Sequence, residues 1–316
     1  MANMYNITPL SYVPSTNMDW YTKALFGGKL IEKGKITPIT GVKENTLLNL
    51  LNLSGSILQA DGRDCAWTPK EIAKLSEKEL KIKTYKINLE QCIDDLERKR
   101  AVWMLSPGVR NTELPDELEE ATMAMLAPEL SNEIESKIFS GDSSVNPDDF
   151  DGATKVLTNS TESIKVKGVA LTKANVLEEI EKVFAALPES VVAAGLEKDS
   201  LNIYVSYATL IKVKMALATI FGSNVVINPN FAVENDEVKY MNIPIFPVKG
   251  IGENDMILAE ATNLLLGTDL MNDLEEMRLG NFPAPNDNKI FIDGRLRLGF
   301  AIPFEDEVVF YSPNNL

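Results

Sequence analysis

The spacing of apolar residues predicts a chain that mixes helices and strands in an order that changes along its length. Residues 1–40 are poorly periodic and interrupted by prolines and glycines, which predicts an extended arm rather than a packed unit. The Leu-rich stretch Thr46–Leu58 and the alternating stretch Lys78–Leu89 predict a long two-stranded arm with a broad tip at Asp61–Lys78. Within the second stretch, the apolar positions change side near Tyr85.

The strongest helical pattern covers Asp116–Ser140. Apolar residues three and four positions apart form one stripe, and acidic residues crowd the first turn, where the helix dipole favours negative charge. Pro128 predicts a kink because its ring clashes with the carbonyl group of Ala124. Gly141 is expected just past the C-terminal end. A shorter helix is predicted for Asp94–Leu105.

The remaining sequence predicts a small α/β unit followed by a mostly β segment. A strand hairpin is expected within Lys155–Leu171, then a helix that Thr172 caps and Pro188 ends. The segment Leu201–Phe221 predicts a strand, with alternate residues on one apolar face, that runs directly into a helix. Further strands are predicted at Asn224–Pro229, Val238–Val248, Asp255–Ala261, Glu275–Asn281 and Lys289–Ile302.

Composition excludes several classes of protein. The chain has 316 residues, and 31 basic against 46 acidic side chains give a net charge of −15, which argues against nucleic-acid readers and membrane binders. The apolar runs are too short to span a bilayer, and the first residues do not resemble a secretion signal, so a cytosolic setting is expected. The two cysteines, Cys65 and Cys92, cannot form a four-ligand zinc site and are expected to be reduced and inert.

Candidate chemistry is sparse. The chain has no histidine, which removes Ser-His-Asp and Cys-His systems, although carboxylate or lysine chemistry survives. The acidic loop Asp142–Asp151 fits an EF-hand poorly, because aligning Gly152 to the sixth position puts Pro147 first and Thr158 last. A structural corner is the favoured interpretation of this loop, and a weak cation site is the alternative.

A glycine-rich phosphate site is also not indicated. The sequence GIGEND, which begins at Gly250, has two glycines of the dinucleotide fingerprint but continues with Asp255 and Met256 where a glycine and a helix start are needed. We therefore predict no catalytic, cofactor-binding or metal-binding residues, no cofactor, and a protein that is not an enzyme.

The order of the predicted parts resembles the major capsid protein of tailed bacteriophages, whose fold is shared with herpesvirus shells and encapsulins. Local segments are similar to capsid proteins of phages that infect Bacteroidetes. ELSNEIESKIFSGD resembles the end of their spine helix, and LNIYVSYATL resembles the strand-to-helix step of their axial domain. DCAWTPKE and INLEQCIDDLE resemble the base of their extended loop, the E-loop.

The resemblance implies an α+β fold in the order found in that family: N-terminal arm, two-stranded E-loop, long spine helix, peripheral domain and axial α/β domain. The implied boundaries are 1–45 for the arm, 46–92 for the E-loop and its base, 93–170 for the peripheral domain with the spine helix at about 116–140, 171–254 for the axial domain, and 255–316 for return strands of the peripheral domain, whose end is left open to rejoin the axial domain.

The resemblance also implies a structural function. The chain is expected to self-assemble as hexamers and pentamers into an icosahedral capsid that encloses double-stranded DNA without reading its sequence. Other copies, a portal, and scaffold or decoration proteins are the expected partners, with no membrane, assembly in the host cytoplasm, and the virion as the final location. Two alternatives stay open: an encapsulin-like compartment with protein cargo, and an acidic α/β enzyme that uses carboxylates.

Overall fold

The computed structural model describes residues 29–53, 73–92, 116–189, 191–193, 200–222, 231–234, 237–269, 278–281 and 289–314. Its helices are α1 Lys29–Glu32, α2 Asp116–Ser140, α3 Ala153–Asn159, α4 Val176–Ala185 and α5 Tyr207–Gly222. Its strands are β1 Thr37–Ile39, β2 Thr46–Leu53, β3 Ala73–Leu80, β4 Ile82–Cys92, β5 Ile164–Lys167, β6 Leu201–Ser206, β7 Phe231–Glu234, β8 Glu237–Tyr240, β9 Ile243–Val248, β10 Met256–Glu260, β11 Leu265–Thr268, β12 Arg278–Asn281, β13 Lys289–Ala301 and β14 Val309–Ser312.

These strands form three sheets. The large sheet has seven strands in the order β5-β14-β10-β6-β9-β8-β7. The small sheet has five strands. Four of them follow the order β1-β11-β13-β12, and the fifth, β4, pairs with β13 along the whole length of β4. The third sheet is the two-stranded pair of β2 and β3, which we call the hairpin. The predicted mixture of helices and sheets is therefore confirmed.

One apolar core joins the long helix α2 to both larger sheets. Ile138 of α2, Tyr204 of β6 and Leu298 of β13 are all buried in it. A second core lies on the other face of the large sheet, under α4 and α5. Strand β6 is buried on both faces, whereas the alternating pattern predicted only one, because α2 covers the side that carries Tyr204. Among the described helices, none is long and apolar enough to cross a membrane.

Several predicted helices are confirmed with small changes. Helix α2 covers Asp116–Ser140 as predicted. Helix α5 begins at Tyr207, directly after β6, as the sequence indicated. Helix α4 follows a turn in which the Thr172 hydroxyl and backbone N–H donate to the Asn175 side-chain oxygen at 3.0 and 2.7 Å. The residue before the helix is therefore Asn175, and Thr172 starts the turn rather than capping the helix itself.

The prediction of a strand hairpin within Lys155–Leu171 is wrong. The first part is helix α3, because Ala153 and Leu157, one helical turn apart, are both fully buried against the core under α2. Only β5 of this segment is a strand, and it pairs in parallel with β14 near the end of the chain. A hairpin does occur later, where Met241 and Asn242 both adopt positive φ between β8 and β9.

The predicted two-stranded arm is correct in kind but paired differently. Its second strand is β3, which ends at Leu80, whereas most of Lys78–Leu89 belongs to β4 and pairs with β13. Residues 73–78, predicted as part of the tip, are already strand. A period of two identifies a strand but does not identify its partner, which explains the error. Residues 54–72, and with them Cys65, lie outside the described residues.

Met256–Glu260, predicted as a strand, is β10 and pairs with β6 and β14 in the large sheet. Within the predicted extended arm, Leu30 and Ile36 are buried in the main core and Val42 is buried beside Leu80, so this part of the arm packs against the body. The Leu30 N–H donates to the buried Glu135 carboxylate at 3.1 Å. The helix predicted at Asp94–Leu105 and the strand predicted at Asn224–Pro229 lie outside the described residues.

Candidate functional site

The hairpin exposes leucines to solvent on a face that also carries Asn49, Glu77 and Glu79. Strands β2 and β3 pair antiparallel from Thr46 opposite Leu80 to Leu53 opposite Ala73. Leu47, Leu51 and Leu75 share one face and are 57%, 59% and 67% exposed. We call these three leucines the hairpin face. Exposed leucines clustered on a two-stranded sheet indicate a surface that another molecule covers, since such a sheet alone is marginally stable.

The base of the hairpin is anchored to the small sheet. Leu80 is fully buried and packs with Val42 and Ala301. Asn45 donates to the Glu79 carboxylate at 3.0 Å and accepts from the backbone N–H of Ile82 at 2.9 Å. The base is therefore fixed where β3 passes into β4.

A second contact ties the inner side of the hairpin to the body. Lys78 forms an ion pair with Glu305, whose side chain is 9% exposed, in the turn after β13. Between the hairpin and the body lies a groove of about 1060 Å³. Leu50 and Ser76 line it from the hairpin, and Phe300, Phe304 and Glu162 line it from the body.

The acidic loop between α2 and α3 is a corner held by its own carboxylates. Asp149 pairs with Lys137 of α2 at 2.5 Å, and Asp142 pairs with Lys155 of α3 at 3.2 Å. Asp151 accepts from the backbone N–H and the hydroxyl of Ser143 at 3.0 and 2.7 Å. These contacts support the interpretation of the loop as a structural corner. In the described part of the chain, no group of three or more His, Cys, Asp or Glu side chains is placed to hold a metal ion.

Two carboxylates of this corner have depressed pKa values. The backbone N–H of Ser144 is the largest cause that lowers the pKa of Asp142, and Lys155 adds to it. Burial alone would raise the pKa of Asp149, but the hydrogen bonds from Lys137 and Tyr85 and the charge of Lys137 lower it. Burial raises the pKa of Tyr85, whose ring lies 5.2 Å from the Lys137 ammonium nitrogen. The corner therefore joins α2 to β4 in a single cluster.

Asp149→Asn should lower the free energy of unfolding at pH 7 by roughly 1–2 kcal/mol, because it replaces a charged hydrogen-bond partner of Lys137. A depressed folded-state pKa contributes stability above the unfolded-state value of about 3.9, and this stability is lost as pH falls through the folded value. The urea unfolding midpoints of Asp149→Asn and wild type should therefore differ at pH 7 and become equal in strong acid. The exposed Asp148→Asn is the matched control, and equal midpoints for Asp149→Asn and wild type at pH 7 would contradict this assignment.

The glycine-rich sequence at Gly250 is a packing turn. Gly250 has φ +85°, and an added Cβ would lie 2.1 Å from the carbonyl oxygen of Ser136 in α2. The strand β10 follows this turn, where a phosphate site would need a helix. Cys92 is the last residue of β4, opposite Lys289.

The sequence prediction named no functional residues, and it did not specify which leucines of the two-stranded arm form the hairpin face. The segment Thr46–Leu53 has leucines on both sides of the strand, which was the available signal. The pattern alone does not show that the body reaches only one side, where Leu48 is partly buried beside Leu80. That distinction depends on the anchoring contacts.

The sequence matches no protein-family model and no curated protein. The structure, however, resembles subunits of solved particles over nearly its whole length. A chain of the satellite phage P4 procapsid, which includes the size determination protein, has a TM-score of 0.62 and 12% identity, covering 97% of this chain and 93% of that one. The capsid of a native GTA particle gives a TM-score of 0.58 and 10% identity, covering 98% and 94%.

A third solved structure is a virus-like particle from Pyrococcus furiosus, with a TM-score of 0.51 and 11% identity, covering 93% of this chain and 96% of that one. At identities this low, a structural match establishes a shared fold but not a shared function. The chain has the fold of phage capsid proteins.

Proposed function

We propose that this chain assembles with copies of itself into a closed viral capsid. The observation that carries the proposal is the hairpin face: three exposed leucines on a projecting two-stranded sheet, in a chain with the fold of capsid subunits. A single subunit leaves Leu47, Leu51 and Leu75 in water, and contact with a neighbouring copy would bury them. Burial of apolar surface stabilises such a contact by roughly 25 cal/mol per Å².

The parts of the structure support an assignment to the parts of a capsid subunit. The hairpin and β4, within 46–92, form the E-loop and its base, and α2 is the spine helix. The small sheet belongs to the peripheral domain, and the large sheet with α4 and α5 to the axial domain. The N-terminal arm is assigned to 1–45, of which the structure describes residues 29–45. The pairing of β10 with β14 and β6 supports assigning part of 255–316 to the axial domain.

A structural role, rather than an enzymatic one, agrees with how the charged groups are used. Asp142, Asp149 and Glu305 each pair with a lysine of another element and thereby stabilise the fold. The proposed shell is icosahedral and built of hexamers and pentamers. It forms in the host cytoplasm, becomes the virion, and works with a portal and with scaffold or decoration proteins. A link to phages of Bacteroidetes is part of the proposal and rests on the segments that resemble them.

Double-stranded DNA is the proposed content. The net charge of −15 opposes tight binding of phosphates, which suits a wall that encloses DNA and later releases it. An encapsulin-like compartment with protein cargo is the second candidate, because a shared capsid fold does not determine what a shell contains.

Purified protein should yield closed particles in electron micrographs. Nuclease treatment of particles from infected cells, followed by extraction, distinguishes the two contents: protected double-stranded DNA supports the capsid, and a single co-purifying protein supports the compartment. A monomer that forms no particles at any concentration would overturn both and favour the acidic enzyme.

Assembly should improve as monovalent salt rises from low to moderate concentration. Each copy carries a charge of −15, and exposed charges on neighbouring copies repel within a Debye length of about 8 Å at physiological salt. Salt screens this repulsion and leaves apolar burial nearly unchanged. Divalent cations should act at lower concentration, because they can also bridge carboxylates. Light scattering against NaCl concentration measures the effect, and a steady loss of particles with salt would show that opposite charges dominate the contacts.

A further inference from the structure

Within the described part of the chain, the polar contacts between the hairpin and the body lie near the base of the hairpin. Leu80 is fully buried there, and the Asn45 side chain accepts from the backbone N–H of Ile82. Lys78, in the third of the eight residue pairs counted from the base, forms the ion pair with Glu305. Farther out, none of the described side chains forms a hydrogen bond or an ion pair with the body. The groove of about 1060 Å³ separates this outer part of the hairpin from the body.

The Glu305 carboxylate depends on Lys78 for its charge balance. The Glu305 side chain is 9% exposed, and Lys78 is its only polar partner among the described residues. Lys78 itself is 36% exposed. A buried carboxylate that loses its partner charge is strongly unfavourable, whereas attraction between exposed charges contributes little. Burial of Glu305 therefore keeps this pair closed.

Two short connections allow the hairpin to turn once the pair is broken. Lys81 is exposed and is the single residue between β3 and β4. On the other strand, the exposed residues 43–45 connect the buried Val42 to β2. Rigid elements commonly rotate about a few residues of this kind at their ends. The buried Leu80 and Val42 belong to the part that stays fixed.

We propose that Lys78 and Glu305 form a latch that sets the angle between the hairpin and the body. With the latch closed, the hairpin face is held in one orientation. With the latch open, the hairpin pivots at Lys81 and residues 43–45, and the groove changes width. The latch is a property of the single subunit, so this inference goes beyond the proposed function.

The latch also has a consequence for the shell, and that consequence rests on the proposed function. Rings of six and of five copies close at different angles, so a shell that contains both places identical chains in unequal surroundings. The hairpin face then meets its neighbours at more than one angle. A closed latch restricts these angles to a narrow range. Subunits without it should still assemble, but into shells of less uniform diameter.

The first test measures the orientation of the hairpin in free subunits. Glu77→Cys in the hairpin and Glu162→Cys in the body provide exposed sites for nitroxide labels, with Cys65 and Cys92 changed to serine. Pulsed electron paramagnetic resonance should give one narrow distance distribution for the latched subunit. Lys78→Met keeps an apolar stem and removes the charge, and it should widen the distribution at least about twofold.

Three further variants identify the cause of the widening. Glu305→Met leaves no buried charge behind, so it should widen the distribution without lowering the urea unfolding midpoint. Lys78→Arg keeps the charge and should keep the distribution narrow. Lys86→Met is the matched control, because Lys86 is an exposed lysine of β4 that forms no ion pair with the described residues. A narrow distribution in both Lys78→Met and Glu305→Met would overturn the latch, and so would equal widening in Lys86→Met.

Electron microscopy of shells tests the consequence for assembly. Diameters of Lys78→Met shells should spread at least about twofold more widely than those of wild type. Shells as uniform as wild type would overturn the role of the latch in assembly.

The outcomes separate this inference from the proposed function, since the distances are measured in free subunits. If the distribution widens as expected but wild-type protein forms no shells, the proposed function fails and the latch is supported. If shells form while Lys78→Met and Glu305→Met keep the narrow distribution, only the latch is overturned.

Discussion

Leu75→Glu is expected to abolish particle formation while leaving the subunit folded. Leu75 is 67% exposed and stands directly opposite the exposed Leu51 across the hairpin, so the two leucines form one apolar pair of the hairpin face. Full burial of a leucine is worth roughly 1.5–3 kcal/mol, and part of this is lost at each contact. A carboxylate on the same surface adds a desolvation cost of several kcal/mol. The lost apolar burial and the desolvation cost recur at every subunit of the shell.

Sedimentation and electron microscopy measure the particles, and urea unfolding of the free subunit measures its fold. The unfolding midpoint should not change, since Leu75 packs little in the subunit. Leu75→Met keeps the size and apolar character and should assemble normally. Normal shells from Leu75→Glu would remove the hairpin face from the assembly contacts and with it the main support for the proposed function.

Local sequence signals located the helices that have clear ends. Helix α2 was predicted to its boundaries because acidic residues mark its first turn and Gly141 follows its last residue. Pro128 lies inside this helix as expected, and the predicted kink stays a prediction. Helix α3 was missed, because seven residues with buried Ala153 and Leu157 show too little of a helical period.

Pairing between distant strands was the part that local pattern did not show. Strand β3 passes into β4 after only Lys81, and the two belong to different sheets. The reason is tertiary: β4 matches β13 over the full register from Ile82 opposite Gly299 to Cys92 opposite Lys289. Likewise, β10 joins the large sheet because β6 and β14 offer apolar partners on both of its edges.

The leucines that the arm exposes could not be predicted for a related reason. Leu51 is an apolar residue of the type that predicts a core position, and only the packing shows that nothing in the described chain covers it fully. The corner interpretation of the acidic loop rests on more local evidence. Its poor fit to a calcium-binding loop could be tested residue by residue, and Asp142 and Asp149 form ion pairs with lysines of the flanking helices.

Gly250→Ala should destabilise the subunit by roughly 3 kcal/mol or more, because two costs fall on one residue. A side chain at φ +85° is strained by about 1–2 kcal/mol. The added Cβ would also lie 2.1 Å from the carbonyl oxygen of Ser136 and 2.9 Å from its carbonyl carbon, so α2 and the turn before β10 must separate. Both segments border the main core, where Ile138 and Ile251 are buried.

Gly34→Ala provides the matched control for the clash. Gly34 also has positive φ, at +62°, but an added Cβ meets nothing within 4 Å. This variant should lose only about 1–2 kcal/mol, the cost of the backbone conformation alone. Urea unfolding of the free subunits measures both variants, and the difference between them isolates the contact between Gly250 and α2. Equal losses would show that α2 moves aside without cost, and that the turn at Gly250 does not hold the long helix against the large sheet.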